Sequence, residues 1–453
     1  MKLPAYTSYK PSGVEWIGDI PSEWMVRRLK ECGRLVAGSG FPHEFQGVHG
    51  EELGFYKVGD LGASVNGKHL ANAVHSVSRE TALELRARVI PAGAVVYAKI
   101  GAALLLNRRR ITVAPSCIDN NMTAFVARAG LISSAWAFYW TSILNFGEFA
   151  NPGAVPSLSE GDQGTLPLVC PPLDEQIAIC EFLDPATARV DMLLAKKRAL
   201  VERLKEKRTA LISRTVTRGL PPEAATQSGL DPNPNLKPSG IDWLGNVPEH
   251  WEIKRLRFIS PHITVGIVVE PSKYYEDEGV PCLRSLNVRP NTLTDRDLVH
   301  ISPQSNSILS KSIVRSGDLV AVRSGQPGTT AVVDDRYDGA NCIDLIIIRR
   351  PRTGNSKYFS YLLNSHAARA QFASGSGGAI QQHFNIGTAS DLLLVEPARA
   401  EQTAIANFLD RETANIDALV VKVETAIERL QEYRAALISA AVTGKIDVRG
   451  AAA

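Results

Sequence analysis

Two stretches of this chain carry apolar residues at helical spacing over four heptads with no glycine or proline to interrupt them. Residues 186–216 are dominated by Ala, Leu, Lys, Arg and Glu and predict a helix of about 46 Å at ~1.5 Å per residue. Val190, Lys197, Leu204 and Leu211 share one heptad position, and Leu193, Leu200 and Lys207 share the next apolar one. The same registers later hold Ile416, Val423, Leu430 and Leu437, then Leu419, Ala426 and Tyr433. A stripe this narrow needs a partner, and each helix supplies one for the other.

Elsewhere the pattern is that of short strands. Residues 89–98 (VIPAGAVVYA), 331–334 and 343–349 are apolar and β-branched between clusters of Gly, Pro, Asn and Asp. Helices are expected at residues 134–144 and 358–372. A glycine-rich turn follows each, Asn151-Pro152-Gly153 in one case and residues 374–378 in the other. Residues 217–236, with their prolines and asparagines, read as a linker.

These elements occur twice. Residues 11–29 (PSGVEWIGDIPSEWMVRRL) match residues 238–256 (PSGIDWLGNVPEHWEIKRL) at 9 of 19 positions, 227 residues apart. Residues 175–194 match 401–420 at 11 of 20 positions and residues 211–217 match 437–443 at five of seven, both at an offset of 226. The middles, about 140 residues each by this spacing, share only scattered points such as Cys117-Ile118-Asp119 and Cys342-Ile343-Asp344. The expected fold is α+β, a pseudo-twofold tandem repeat in which two β-rich domains are held apart by a long antiparallel two-helix coiled coil. The boundaries place the first domain at 1–172, its helix at 173–217, the linker at 218–237, the second domain at 238–397, and the second helix with its tail at 398–453.

Composition removes function classes more than it adds them. A length of 453 residues alone gives a prior of about three domains, which the repeat revises to two. A net charge of +3 does not announce a nucleic-acid partner, and residues 1–170 carry 16 basic against 14 acidic residues, residues 231–397 17 against 17. The first ten residues have no apolar core of a signal peptide, and no apolar run approaches the ~20 residues of a membrane span, so a cytoplasmic protein without a membrane is expected. Six scattered cysteines give neither a disulfide framework nor a zinc site. Phosphate-loop, dinucleotide-binding, His-Glu-x-x-His and Asn-Pro-Pro-Tyr/Phe motifs are missing. Glu252-Ile253-Lys254 has the Glu-x-Lys spacing of a metal-dependent nuclease, but no Pro-Asp precedes it at useful spacing. No nucleophile, general base or metal cluster is nominated.

The Trp-containing opening segment, its recurrence at residues 238–251, and Pro171-Pro172-Leu173-x-Glu175-Gln176 resemble the specificity subunits of type I restriction-modification systems. The resemblance covers essentially the whole chain; the second copy keeps Pro397 and Glu401-Gln402 but loses Pro-Pro-Leu. It implies a non-catalytic reader of double-stranded DNA with two target recognition domains, each reading half of a split asymmetric site. It further implies two adenine-N6 methyltransferase subunits and restriction motor subunits as partners. S-adenosylmethionine, ATP and Mg would then belong to those partners and not to this chain. A duplicated coiled-coil adaptor that joins proteins without reading DNA remains the alternative, and a self-contained nuclease or methyltransferase lacks the motifs.

Candidate DNA-reading residues are basic or amide side chains near loops. In the first middle they are Lys99 and the run Arg108, Arg109 and Arg110, which reads equally as a solvated turn. In the second they are Arg323 and Gln326, in the slot of Lys99, and the cluster Gln381, Gln382, His383 and Asn385. Trp16, Trp24, Trp243 and Trp251 read as packing anchors, and Arg198, Glu202, Lys205, Glu428 and Glu432 as helix faces that either dock a partner or stay solvated. Gln381→Ala or Gln382→Ala should relax specificity in one half-site only. Equal weakening on every DNA sequence would assign them to the backbone instead.

Overall fold

The computed structural model describes residues 4–151, 153–241, 244–374 and 384–450. They form two compact units, residues 1–199 with 424–453 and residues 200–423. The units have the same plan. In the first, a hairpin of Tyr9–Pro11 and Asp19–Pro21 leads to the strand Met25–Arg28, which pairs with Pro167–Cys170. In the second, Leu236–Pro238 pairs with Asn246–Pro248 and Glu252–Arg255 with Leu393–Glu396.

Each middle is built on one antiparallel core of three strands. In the first unit Met122–Ala127 lies between Gly33–Ala37 and Val95–Ala98, inside a six-stranded sheet. In the second, Leu345–Ile348 lies between Ile263–Val265 and Leu319–Val322. All four residues of Leu345–Ile348 are buried, so this strand is covered on both faces and reads as a continuous apolar run. A second small sheet crosses over each core through a parallel pair, Ser116–Ile118 on Leu53–Tyr56 and Asn341–Cys342 on Val280–Leu283. The crossing is close. A Cβ on Gly38 would stand 1.9 Å from the Asp119 carbonyl oxygen, and one on Gly266 2.5 Å from that of Cys342, so both copies require glycine there.

The strands are shorter than the apolar runs predicted, Val95–Ala98, Thr330–Val332 and Leu345–Ile348, because pairing ends where the neighbouring strand turns away. The helix expected at 134–144 is Ser134–Ile143, whereas that expected at 358–372 is two helices, Ser356–Asn364 and His366–Ser374. The break falls at Ser365, whose hydroxyl bonds back to the Leu362 carbonyl at 2.6 Å. The linker is folded in part: Pro222–Gln227 is helical, and Leu220 and Ala225 are buried in the core of the second unit.

The long helices run Leu173–Arg218 and Arg399–Val442. The first extends upstream of its glycine- and proline-free stretch and carries Pro185 inside it. A proline there costs about 3 kcal/mol. Burial of Ile179, Cys180 and Leu183 in the first core offsets that cost.

The heptad reading needs one correction. Val190, Leu204, Ile416 and Val423 are buried as expected, but Leu193 and Leu200 are 39% and 41% exposed, and Leu419 and Tyr433 are exposed as well. Leu194 and Val201 are buried in their place, with Val420 and Ile427 half-buried at the matching positions. The sequence carries apolar stripes on both sides of the first register, and only one of them packs. In the first unit Arg434 grips both carboxylate oxygens of Asp191, at 2.8 and 3.1 Å, and in the second Arg208 grips Asp417 at 2.9 and 3.2 Å. These four positions are equivalent across the repeat, so within each unit the two helices run antiparallel with the same bond made in reverse order.

Each unit is closed by the end of the helix that begins in the other. Ile438, Ala441, Val442 and Val448 lie in the core that holds Trp24 and Trp136. Ile212 and Val216 lie in the core that holds Trp251 and Tyr358. The recurring Glu-Gln pair fixes the start of each helix. The indole of Trp24 donates to Glu175 at 2.9 Å, where the Tyr6 hydroxyl also donates at 2.7 Å. The indole of Trp251 donates to Glu401 at 3.0 Å, with His250 at 2.9 Å on the other oxygen. Gln176 and Gln402 accept from the backbone N–H groups of Ser133 and Asn355, the residues before the domain helices. Trp24 and Trp251 are thus packing anchors with one polar tether each, Trp16 is 47% exposed beside Trp140, and Trp243 lies outside the described residues. Glu401→Ala leaves a buried indole N–H unpaired and should cost roughly 2–3 kcal/mol in urea unfolding, with Glu401→Gln recovering most of the loss. Equal losses for the two variants would place the stability elsewhere.

Candidate nucleic-acid interface

In both units the loops that join the core strands collect at one end of the sheet. In the first unit the partners Ala37↔Thr123 and Met122↔Ala98 put residues 38–41, 119–121 and 99–101 side by side. In the second, Val265↔Ile346 and Val322↔Leu345 do the same for residues 266–270, 343–344 and 323–326. The glycine-rich stretch at 375–378 lies outside the described residues; the segment after each glycine-rich stretch docks on the same end. Leu158 N–H donates to the Lys99 carbonyl at 2.9 Å, and Phe384 N–H donates to the Arg323 carbonyl at 3.0 Å. Backbone pairing thus brings Lys99 and Arg323 to the same place on two copies of one frame.

Lys99 is half-exposed on this rim, and Arg108 is exposed beside it, its guanidinium 3.2 Å from where a Cβ on Gly62 would stand. Arg109 and Arg110 are not on the rim. They belong to the strand Arg109–Ile111, whose side chains alternate in direction. Arg109 is 2% exposed, donating to the Leu144 carbonyl at 2.6 Å and to Asn107 at 3.1 Å with its guanidinium carbon 3.9 Å from the Phe146 ring centre. Burial lowers its pKa to about 9. The three-Arg run is therefore neither a contact patch nor a solvated turn: one residue is on the rim, one is in the core and one faces the long helices.

In the second unit the Arg323 guanidinium bonds Asp344 at 2.8 Å, both groups remaining partly exposed. An exposed pair of this kind is worth about 0–1 kcal/mol, so a phosphate or a base edge can compete for the arginine. Gln326 is exposed in the adjoining turn. Gln381, Gln382 and His383 lie outside the described residues. Asn385 is spent locally, since its side-chain oxygen caps the helix Ile386–Asp391 by accepting from Thr388 N–H at 2.9 Å, as Ser159 caps Glu160–Thr165 in the first copy. Asn120, exposed in the turn between Ser116–Ile118 and Met122–Ala127 of the first unit, and Val268 and Val269, exposed in the second, are rim residues that sequence reasoning passed over. The Cys-Ile-Asp match pointed to that loop without showing which neighbours face outward.

The side chains on the rim are of the kinds that can pair with DNA edges. Arginine pairs bidentately with guanine, amides pair with adenine, lysine takes phosphates, and aliphatic side chains meet the thymine methyl. Glu252 and Lys254 are not part of it. Lys254 bridges Glu252 and Glu396, the latter at 2.7 Å, on the two-stranded ribbon of Glu252–Arg255 and Leu393–Glu396, and those two carboxylates raise its pKa. Among the described residues no group of three His, Cys, Asp or Glu is placed to hold a metal ion. No helix among them is long and apolar enough to cross a membrane. All six cysteines are buried and free.

No family model matches the chain. In sequence it is similar to the EcoKI specificity subunit of Escherichia coli K12, a type I restriction enzyme component, at 26% identity over 213 residues, which are 45% of this chain and 44% of that protein. It is similar to the StySPI specificity subunit of Salmonella potsdam at 27% identity over 213 residues, with the same coverage of each chain. The match spans less than half the length of these relatives. In fold the chain is similar to a structure solved to explain complex assembly and conformational transition of the type I restriction-modification system, with a TM-score of 0.63, 17% identity, and coverage of 93% of this chain and 98% of that one.

Arg109→Met should lower the melting temperature of the chain, because the Leu144 carbonyl and Asn107 lose a buried donor, at a cost of about 1–3 kcal/mol. Arg108→Ala should change stability by less than about 0.5 kcal/mol. A reversed order in a thermal-shift measurement would contradict these placements.

Proposed function

We propose that this chain is the DNA sequence-specificity subunit of a type I restriction-modification complex and that each unit reads one half of a bipartite, asymmetric site with its rim. The observation that carries the reading is the pair of equivalent rims with unlike chemistry. On one backbone frame, the first presents Lys99, Arg108 and Asn120, and the second Arg323, Asp344, Gln326, Val268 and Val269. A duplex has a locally twofold backbone and non-repeating base edges, so a repeated frame with two different rims fits it. Gln381, Gln382 and His383 adjoin the second rim in sequence and belong to the proposed reading set.

Half-sites read from one side of the duplex are centred about 10–10.5 base pairs apart, or a multiple of that. The helices that run from one unit into the other would set this spacing. Near-neutral recognition domains bind weakly alone, and partners that also grip DNA would complete the affinity. We assign those partners as two adenine-N6 methyltransferase subunits, one on each unit, with restriction motor subunits joining them. Docking would use the apolar positions that the helix seam leaves outside, Leu193 and Tyr433 in the first unit and Leu200 and Leu419 in the second. The chain itself would contribute no catalytic group. S-adenosylmethionine, ATP and Mg would be bound by the partners.

Co-expression with a cognate methyltransferase followed by single-molecule methylome sequencing tests this. The expected result is a split adenine-methylated motif, and a chain lacking one heptad from each long helix should keep both half-sites while the unread spacer changes. A methylome without a split motif would overturn the function, and an unchanged spacer would overturn the role of the helices.

A further inference from the structure

A crevice of about 650 Å³ opens in the first unit, between Gly67, the strand bearing Arg110, the end of the helix Ser134–Ile143 and the two long helices. A volume of roughly 300–1,000 Å³ is that of small-molecule sites. Three guanidinium groups line it, those of Arg110, Arg198 and Arg434, against the single carboxylate of Asp191. Both oxygens of that carboxylate are already bound by Arg434. Two cations, Arg110 and Arg198, are thus left without a counter-charge in the crevice.

Arg110 is held there at a cost. It is half-buried, one terminal nitrogen donates to the Arg109 carbonyl at 2.6 Å, and its Nε is buried with no hydrogen-bond partner. Burial, followed by the like charges of Arg108 and Arg434, lowers its pKa, and only Asp191 opposes them. An anion entering the crevice would supply the missing counter-charge to these guanidinium groups. Ile143, Leu194 and Ile438 give the remaining wall an apolar surface suited to a flat ring.

The repeat does not produce this site automatically. Arg110 pairs with Val96 in the sheet, and the residue that pairs with the equivalent Val320 is Ala331. The residue 226 positions after Arg198 is Glu424. The second copy of the sequence has therefore exchanged one cation for a methyl group and the other for a carboxylate.

We propose that the crevice binds a phosphate-bearing ligand of mononucleotide size, with the phosphate between Arg110 and Arg198 and the ring against Ile143, Leu194 and Ile438. This site is separate from the rim and does not depend on the DNA-reading role. Calorimetry and thermal shift on the full chain, with AMP, inorganic phosphate, adenosine and a short mixed-sequence duplex as probes, test it. AMP should bind with unit stoichiometry and raise the melting temperature, and adenosine should bind at least roughly tenfold more weakly, the loss of one charge-assisted pair. Arg110→Gln should lose AMP affinity by a similar factor without a lower ligand-free melting temperature. Arg198→Glu, at an exposed position, should lose it too and keeps the test intact if the first variant folds poorly. If the duplex displaces AMP and its own binding needs Arg110, the phosphate is that of the DNA backbone; if the two bind together, it belongs to a free ligand. No saturable binding of AMP or phosphate, or variants that bind as the wild type does, would overturn the proposal.

Discussion

The constraint on which the molecule depends is that neither repeat buries its own core. The core around Trp24 is closed by Ile438, Ala441 and Val442 from the helix of the second repeat, and the core around Trp251 by Ile212 and Val216 from that of the first. Burial of such side chains contributes about 1.5–3 kcal/mol each, enough that a repeat without its counterpart would expose a cleft beside its largest aromatic side chains. The Glu175 and Glu401 tethers fix where each helix starts, and the Asp191–Arg434 and Arg208–Asp417 pairs fix how the helices register within a unit. Only with both ends fixed does each sheet present its loops on a defined frame.

That frame separates structure from specificity. Residues that hold it recur at one offset, Trp with Glu, Gln with the backbone, Asp with Arg, and glycine where the two sheets cross. Exposed residues at the loop end differ between the copies. Lys99 is replaced by Arg323, and Asp119, which accepts from the backbone of Val58 and Asn121, recurs as Asp344, which holds Arg323 instead. Side chains at a rim touch solvent on one side and can change without repacking the core, which is why two rims diverged on a scaffold that stayed the same.

Much of this was legible in the sequence because it rests on periodicity and repetition. The two long helices, the repeat offsets and the anchoring role of Trp24 and Trp251 follow from spacing alone. What was not legible depends on tertiary contact. Leu193 and Leu200 read as seam positions until packing selects Leu194 and Val201. The run Arg108 to Arg110 reads as one basic patch, yet a strand turns consecutive side chains to opposite faces and sends Arg109 into the core. Asn385 has the chemistry of an adenine reader and the geometry of a helix cap.

Whether each unit reads its own half of one site is answered by site-specific photo-crosslinking. A photoreactive residue at position 99 or at position 323, in the chain assembled with the proposed methyltransferase partner on a duplex bearing the methylated motif, reports where each rim lies. Position 99 should crosslink within one half-site and position 323 within the other, about one helical turn away or a multiple of it. Crosslinks from both positions to the same half-site, or from neither to DNA, would contradict this reading.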